Sequence, residues 1–274
     1  MEIITEKYIQ GFLHQREADS HKGDYGRALL VAGRRGMMGA ALLAARATLR
    51  SGVGLLTVRV PDCGYEIVQL GIPEAKCDTD PHPHRHTQII VPSDTEVVGI
   101  GPGLGQHHDT QEALYQFLSE WQGPLVLDAD ALNILSQHPD WLPLLPPGTI
   151  LTPHPGEMHR LGDDPLGLSA AHLLIVVLKG HHTTIYCPDG QTFVNTQHGN
   201  AGMAVGGSGD VLTGIILSLL AQHYTPVQAA TLGVWLHALA GDLALQDQQS
   251  MESLLPSDII DHLGQAFCVT RGSI

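Results

Sequence analysis

Short apolar runs alternate along the chain with longer segments in which apolar and small residues recur at helical spacing. Arg27–Gly33 (RALLVAG) predicts a buried strand, Ala40–Ser51 a helix, and Gly54–Val60 a second strand, which together make one βαβ unit. Further strands are predicted at Gln88–Val91, Val97–Ile100, Pro124–Leu127, Thr149–Thr152 and Ile175–Leu178, and further helices at Asp109–Trp121 and Ala131–Gln137.

The pattern changes towards the carboxyl end. Thr183–Cys187 and Gln191–Asn195, joined by PDG, predict a β-hairpin, and the chain from Asp210 onward predicts about three helices. Strands that alternate with helices predict an α/β fold, with a central, mostly parallel sheet and helices on both faces. No break in composition marks a boundary, so we expect a single domain over residues 1–274, with residues 1–21 as an N-terminal arm.

Composition narrows the possible partners. The chain has 14 Lys+Arg against 28 Asp+Glu and is only 5% aromatic, which disfavours nucleic acid as a partner. Val211–Gly241 lacks charged residues, but its apolar run is short and Pro226 follows, so it predicts two buried helices rather than a membrane span.

Four scattered cysteines without a CxxC pair, and no signal-peptide pattern at the N-terminus, are typical of a cytoplasmic protein.

Asp78–His86 (DTDPHPHRH), rich in proline and histidine, is predicted to be the least ordered segment. Its three histidines would share one face of a strand and could then bind zinc. Because Pro81 and Pro83 interrupt such a strand, the zinc interpretation is disfavoured.

The densest chemical signal is Gly199–Gly214, GNAGMAVGGSGDVLTG. Here a glycine loop leads into an apolar helix, so the N–H groups of Gly207, Ser208, Gly209 and Asp210 are expected to point into one anion-sized space. Asp210 is either the N-cap of that helix or a general base that faces the anion. An acid behind GGSG favours the base.

Other polar residues follow predicted strands, and each has two interpretations. Lys179 is either a cation for phosphates or a solvated lysine at a strand end. Asp128, Asp130 and Asn133 are either ligands of a substrate or part of the scaffold. His154, in TPHPGE, is by itself more typical of a structural loop histidine.

Several motifs occur in order from Lys22 to about Ala266. They are KGDYGRALLVAG, GMMGAALLAARATLRSGVGLLTV, GIGPGLG, VLDADALN, ILTPHPGEMHRL, VVLKGHHTTIY and GNAGMAVGGSGDVLTG. Together they resemble the ADP/ATP-dependent NAD(P)H-hydrate dehydratases, a branch of the ribokinase-like superfamily. No segment of epimerase length precedes them, so the chain is similar to the stand-alone form rather than to the fused form.

The resemblance implies a cofactor-repair activity. The family phosphorylates the ring hydroxyl of hydrated NADH or NADPH (the S epimer of NADHX or NADPHX) with ADP or ATP and then eliminates phosphate. With ADP as donor, AMP is the product. The resemblance also implies Mg²⁺ as a cofactor and a homo-oligomer, namely a tetramer.

The resemblance also assigns roles to residues of this chain. It implies that Asp210 takes a proton and that Gly207, Ser208 and Gly209 hold the phosphoryl group. The other implied residues are Lys179, Gly180, His181, His182, Thr183 and Gly209 for the nucleotide, Ala40, Gly105, His154 and Asp210 for the substrate, and Glu157 for a metal ion through water.

Two alternatives stay open. One is a ribokinase-like kinase for a vitamin precursor of the hydroxyethylthiazole or hydroxymethylpyrimidine type, although such kinases favour Asn where His154 stands. The other is a nucleotide-binding regulator without turnover, which the retained Asp210 disfavours.

The chain departs from the family pattern in two places. Arg34 and Arg35 stand where small polar residues are usual; they either contact cofactor phosphates or are solvated, and we favour solvation at this point. Arg160–Ile175 is shorter than is usual, so a crossover helix there must be brief.

Overall fold

Within residues 1–247 and 250–273, which this computed structural model describes, ten strands form one mixed sheet. Residues 248, 249 and 274 of the predicted domain lie outside the described residues. The strands are β1 (Glu2–Ile3), β2 (Arg27–Val31), β3 (Leu55–Pro61), β4 (Lys76–Asp80), β5 (Val97–Ile100), β6 (Leu125–Leu127), β7 (Ile150–Leu151), β8 (Ile175–Leu178), β9 (Thr184–Tyr186) and β10 (Thr192–Val194).

The order of the strands across the sheet is β1-β10-β9-β8-β7-β6-β5-β2-β3-β4. Neighbouring strands are parallel from β8 to β4, and β1 is parallel to β10. The predicted hairpin is confirmed, because β9 is antiparallel to both β8 and β10.

Helices cover both faces of the sheet. They are α1 (Glu6–Gln10), α2 (Met38–Arg50), α3 (Tyr65–Gly71), α4 (His108–Glu120), α5 (Asp130–Gln137), α6 (Pro155–Leu161), α7 (Pro165–His172), α8 (Ser208–Ala221), α9 (Pro226–Gln246) and α10 (Pro256–Thr270). Alternate residues of β2 explain the two layers: Leu30 packs with α2 and α8–α10, whereas Leu29 and Val31 pack with α4–α7. The predicted α/β fold is confirmed.

The strand predicted at Gln88–Val91 is wrong, and β4 was missed. The fully buried carboxylate of Asp80, at the end of β4, accepts hydrogen bonds from the backbone N–H groups of Thr87 and Gln88. Burial by itself would raise the pKa of Asp80, but these N–H donors outweigh it and lower the pKa. The N–H of Gln88 is therefore directed to a carboxylate and not to a neighbouring strand.

Asp78–His86 also follows a defined path, so the prediction that it is the least ordered segment is wrong. The segment begins inside β4, and the backbone N–H of His82 donates to Asp80 Oδ1 across 2.8 Å. The buried ring of His86 lies with Nε2 3.2 and 3.0 Å from the carbonyl oxygens of Ala32 and Gly33. This contact fastens the segment to the loop after β2.

The ends of the chain are tied to the same core. Strand β1 extends the sheet beside β10, and α1 buries Ile9, so part of the N-terminal arm belongs to the fold. The brief crossover helix expected in Arg160–Ile175 is confirmed as α7. Among the described helices, none combines the length and apolar content that a membrane crossing requires.

Candidate active site

The carboxyl ends of the parallel strands form the edge at which the polar motifs meet. Asp128 directly follows β6, and Lys179 directly follows β8. Helix α8 brings its amino end to the same place, because a Cβ atom added to Gly209 would lie 3.1 Å from Lys179 Nζ and 3.9 Å from Asp128 Oδ2. This is the edge of an α/β sheet at which ligands bind.

Lys179 lies between two buried carboxylates. Its Nζ donates to Asp128 Oδ1 across 2.7 Å and lies 3.9 Å from Glu157 Oε2. Asp128 Oδ2 accepts a hydrogen bond of 2.6 Å from Thr213 Oγ1 in α8. Burial raises the pKa of Glu157, although the Lys179 ammonium opposes this shift. Because only 18% of the Lys179 side chain is exposed, the solvated-lysine alternative is wrong.

Asp210 is the third residue of α8 and not its N-cap, which is Gly207, so the capping alternative is wrong. Within the described residues, no group donates a hydrogen bond to the Asp210 carboxylate. Burial raises the pKa of Asp210 to about 7; the negative charge of Asp128 adds to this shift, and Lys179 opposes it. Such a carboxylate can accept and return a proton near neutral pH.

The loop before α8 supplies fewer free amides than predicted. Gly207 has a φ of 101°, in the left-handed region that favours glycine. The N–H of Ser208 donates to Val205 O across 3.2 Å and is not available to a ligand, which corrects the prediction of four converging amides. The N–H groups of Gly209 and Asp210 meet no acceptor among the described residues, so they are free donors at the positive end of α8.

Ser208 nevertheless takes part in the site through its hydroxyl. Its Oγ lies 3.2 Å from Nε2 of His237 in α9. Burial lowers the pKa of His237 to about 4, so the imidazole is neutral. Sequence reasoning missed His237, because nothing in the long apolar pattern of α9 distinguishes it from a core residue.

A cavity of about 650 Å³ opens beside this loop. Of the predicted nucleotide-binding residues, those that line it are Lys179, Gly180, His181, Thr183 and Gly209; His182 does not. Lining residues outside the motifs that the sequence analysis singled out are Asn195, His198, Val234, His237 and Ala238. A cavity of about 770 Å³ beside the N-terminal arm is lined by none of the predicted site residues, so we assign the chemistry to the smaller one.

His154 both caps a helix and borders the cavity. It is the N-cap of α6: its Nδ1 accepts hydrogen bonds from the N–H groups of Gly156 and Glu157, of 3.0 and 3.3 Å, and its own N–H donates to Glu157 Oε2. Its side chain remains 52% exposed. The structural interpretation is therefore correct for Nδ1. Nε2 lies 3.4 Å from Glu157 Oε1, and the exposed part of the ring borders the cavity.

The sequence matches the protein family described as NAD(P)H-hydrate dehydratase over residues 28–265. This chain belongs to that family. It is 35% identical over 271 residues to the ADP-dependent (S)-NAD(P)H-hydrate dehydratase of Bacillus subtilis, a match that covers 94% of this chain and 95% of that protein. The chain spans about half the length, 53%, of the bifunctional NAD(P)H-hydrate repair enzymes that it also matches.

Solved structures of related proteins share the fold. The ADP/ATP-dependent NAD(P)H-hydrate dehydratase of B. subtilis, co-crystallized with ATP and Mg²⁺, is 31% identical and has a TM-score of 0.83 over 98% of each chain. A ribokinase-like superfamily protein of Enterococcus faecalis is 30% identical and has a TM-score of 0.86, over 98% of this chain and 96% of that one. The predicted ribokinase-like fold is confirmed.

In this dehydratase-family chain, the loop that contains Gly105 lies against the start of α2, which contains Ala40. A Cβ added to Gly103 would lie 3.1 Å from the Cβ of Ala40, so the loop after β5 packs on the first turn of α2. Gly105 donates its N–H to Asp130 Oδ2 across 2.8 Å. Asp130 stands two residues after Asp128, whose Oδ2 would lie 3.9 Å from a Cβ added to Gly209, so Gly105 belongs to the same edge of the sheet as the candidate base.

Asp128, Asp130 and Asn133, which the sequence left open between ligand and scaffold, all contact other parts of the protein. Asp128 binds Lys179, and Asp130 accepts the N–H of Gly105. Asn133 Oδ1 accepts a hydrogen bond of 2.7 Å from Arg160 Nη2. These contacts favour the scaffold interpretation.

Within the described residues, no group of three or more His, Cys, Asp or Glu side chains is placed to hold a metal ion. A Mg²⁺ ion that accompanies a nucleotide takes most of its ligands from phosphates and water. Glu157 already accepts the N–H of His154. The donor set therefore fits an ion that nucleotide phosphates hold, rather than one that protein side chains hold by themselves.

Proposed function

We propose that this chain catalyses the ADP-dependent dehydration of the S epimer of NADHX or NADPHX, which yields NADH or NADPH together with AMP and phosphate. The observation that carries the proposal is the position of Asp210: its pKa is raised to about 7, and it lies at the amino end of α8, directly after Gly209 in the cavity wall. Stand-alone relatives of matching length that bear this name support the proposal.

In this proposal ADP occupies the cavity of about 650 Å³, a volume typical of small-molecule sites. The Lys179 ammonium and the N–H groups of Gly209 and Asp210 bind its terminal phosphate. Because Asp128 already orients Lys179, the ammonium loses little freedom when the nucleotide binds. Gly180, His181 and Thr183 follow Lys179 and hold the rest of the nucleotide.

The first chemical step transfers a phosphoryl group. The oxygen of the ring hydroxyl attacks the β-phosphorus of ADP, the bond from that phosphorus to the bridging oxygen breaks, and AMP leaves. Asp210 takes the hydroxyl proton during the attack. Lys179 and the amides at the start of α8 stabilise the charge that develops on the transferred group.

The second step is an elimination. The carbon–oxygen bond of the phosphorylated ring breaks and phosphate leaves with the bonding electrons, while a proton leaves the neighbouring ring carbon and the ring double bond forms. The elimination depends on the first step, because phosphate is a much better leaving group than hydroxide. Mg²⁺, when bound with the nucleotide, neutralises phosphate charge; Glu157 would hold it through water.

The decisive assay mixes the protein with NADHX or NADPHX, Mg²⁺, and ADP or ATP in turn, and follows the absorbance of the reduced nicotinamide. We expect absorbance to recover as AMP forms from ADP. A phosphorylated product that accumulates without recovered absorbance would instead indicate the vitamin-precursor type of kinase. Binding of ADP without turnover of either substrate would indicate a regulator.

We further propose that the chain acts as a single domain in the cytoplasm, as a homo-oligomer and specifically a tetramer, without nucleic acid or membrane as a partner. The net charge of −14 supports the exclusion of nucleic acid. Sedimentation equilibrium of the purified protein tests the tetramer, and cell fractionation tests the location.

A further inference from the structure

A second, smaller cavity next to the predicted substrate residue Gly105 is rich in cationic side chains. Its volume is about 450 Å³. Three of the 14 Lys+Arg residues of this acidic chain line it, together with two histidines: Arg34, Arg35, Arg85, His84 and His107. Arg34 and Arg35 are exposed, in agreement with the solvation expected of them, and the concentration of arginine in a chain of net charge −14 also creates a local region of positive charge.

Two of these arginines have no acidic partner. Arg85 is neutralised, because its Nη2 lies 2.7 Å from Asp109 Oδ2. Within the described residues, Arg34 and Arg35 meet no carboxylate: Arg34 Nη1 donates to Arg35 O across 3.3 Å, and Arg35 Nη1 donates to His84 Nε2 across 3.1 Å. The cavity therefore carries uncompensated positive charge.

The carboxylate that borders the cavity does not cancel this charge by contact with either arginine. Asp130 is occupied by hydrogen bonds from the N–H of Gly105, the side chain of Gln106 and the side chain of Asn133, of 2.8, 3.1 and 3.3 Å. Arg34 instead lies directly over Gly105, since a Cβ added there would be 2.7 Å from Arg34 Cδ. Glycine at this position is what lets the arginine reach the loop.

The arginines are held in position by the backbone. Arg35 N donates to His84 O across 3.0 Å, which joins the loop after β2 to the segment that follows β4. His86 fastens the same two segments through Ala32 and Gly33. A guanidinium on a fixed backbone loses less freedom on binding an anion than one on a mobile loop.

The amino end of α2 adds positive potential at the same place. Its N-cap, Met37, provides no capping side chain, and a Cβ at Gly103 would lie 2.7 Å from Met37 O. The first turn of this helix of 13 residues thus lies against the loop that ends in Gly105. The positive end of a helix dipole supports anion binding beside charged side chains.

We propose that Arg34 and Arg35 form a phosphate-binding subsite for the dinucleotide substrate; this inference rests on the proposed dehydratase function. In that function the hydrated ring reacts at Asp210. A Cβ added to the neighbouring Gly209 would lie 3.9 Å from Asp128 Oδ2, and Asp130, two residues after Asp128, accepts the N–H of Gly105 in the wall of the cavity of about 450 Å³, so the remainder of the substrate would extend into that cavity. One guanidinium group can donate two parallel, charge-assisted hydrogen bonds to two oxygens of a phosphate. The phosphate is either the pyrophosphate, common to NADHX and NADPHX, or the 2′-phosphate of NADPHX alone.

The test compares the double variant R34Q/R35Q with R46Q/R50Q, which makes the same change of charge in α2 at the exposed Arg50 and at the partly buried Arg46, the partner of Asp261. We expect R34Q/R35Q to raise the KM for substrate by about tenfold to 100-fold, the loss of one or two charge-assisted hydrogen bonds, without a change in the KM for ADP. R46Q/R50Q and the wild type should have equal KM values. Thermal unfolding checks that both variants fold.

The two substrates distinguish the phosphates. An equal rise in KM for NADHX and NADPHX identifies the pyrophosphate, and a rise confined to NADPHX identifies the 2′-phosphate. An unchanged KM for both substrates, or a rise in the KM for ADP alone, would overturn the inference while wild-type turnover upholds the proposed function. If the wild type has no turnover, calorimetry with NADPH decides: R34Q/R35Q must bind NADPH about tenfold more weakly than R46Q/R50Q, and equal affinities overturn the inference.

Discussion

Lys179 and Asp128 are 51 residues apart in sequence and are joined by an ion pair of 2.7 Å between Nζ and Oδ1. Asp128 is only 1% exposed, and its other oxygen is bound by Thr213 of α8. The pair thus ties the ends of β6 and β8 to the helix that carries Asp210. The same pair therefore fixes the position of Lys179 relative to Asp210, the cation and the base of the proposed reaction.

Lys179→Met should destabilise the protein as well as weaken ADP binding. The change leaves the buried carboxylate of Asp128 without its cation, and loss of one partner of a buried pair lowers the free energy of unfolding by about 3 kcal/mol. Urea unfolding and calorimetry with ADP measure the two effects. The double variant K179M/D128N should recover most of the stability but not the ADP affinity; unchanged stability in K179M would contradict this account of the pair.

The pH dependence of kcat/KM should report the ionisation of Asp210. The carboxylate acts as a base only when deprotonated, and its pKa is about 7. We therefore expect kcat/KM to fall about tenfold per pH unit below this value and to level off above it. Initial rates measured across the pH range test this, with Asp210→Asn as the control that should have a small residual rate without this limb. A wild-type profile that stays flat between about pH 5 and 8 would remove Asp210 from the role of base.

Asp210→Asn should at the same time stabilise the folded protein at alkaline pH. The carboxyl ionises at 3.8 in the unfolded chain but at about 7 in the folded protein, so stability falls as the pH rises through this window. Allowing for the partial exposure of Asp210, we expect the variant to gain about 2 kcal/mol above pH 7 and nothing below about pH 4. Urea unfolding at the two extremes measures the difference; equal gains at both would mean that ionisation is not the cause.

Gly209→Ala should reduce activity without loss of stability. The added Cβ would lie 3.1 Å from Lys179 Nζ and would occupy the space proposed for the phosphoryl group, whereas alanine is favourable within a helix. We expect kcat/KM to fall about 100-fold, as when a donor to the transition state is lost. The matched control is Gly206→Ala, whose Cβ meets nothing within 4 Å and should leave the rate near that of the wild type.

His154→Asn separates the two roles of this residue. Asparagine is a good N-cap, so α6 and the thermal stability of the protein should be retained. Loss of the imidazole should raise the KM for substrate about tenfold, the loss of one hydrogen bond, and leave the KM for ADP unchanged. An unaltered substrate KM would confine His154 to capping.

The local pattern of apolar residues predicted the first strands and the first helix of the fold. The strands and helix of the first βαβ unit, β2, α2 and β3, begin and end within about two residues of their predicted bounds, because each is defined by its own apolar run. Gln88–Val91 is equally apolar, yet the N–H of Gln88 is bound by Asp80, eight residues earlier. A hydrogen bond between one carboxylate and a distant backbone N–H does not change the pattern of apolar residues, so the sequence could not show that Gln88–Val91 is not a strand.

The sequence predicted the site residues that lie within short continuous motifs. Asp210 and Lys179 lie in short glycine-containing segments that indicate phosphate chemistry by themselves. The partners of these residues come from elsewhere: Asp128 lies 51 residues before Lys179, and His237 lies 29 residues after Ser208 in an apolar helix. Only the folded chain places them together, and only it reveals that Val205 O takes the Ser208 amide.

The carboxylate of Asp80 holds the turn after β4 through backbone N–H groups rather than through side chains alone. The course of that turn therefore depends more on Asp80 than on the side chains at positions 84 and 85, of which Arg85 adds an ion pair with Asp109. Exchanges there would change the charge beside Arg34 and Arg35 and leave the backbone contacts of Asp80 in place, so the preference between dinucleotides with and without a 2′-phosphate could change separately from the core.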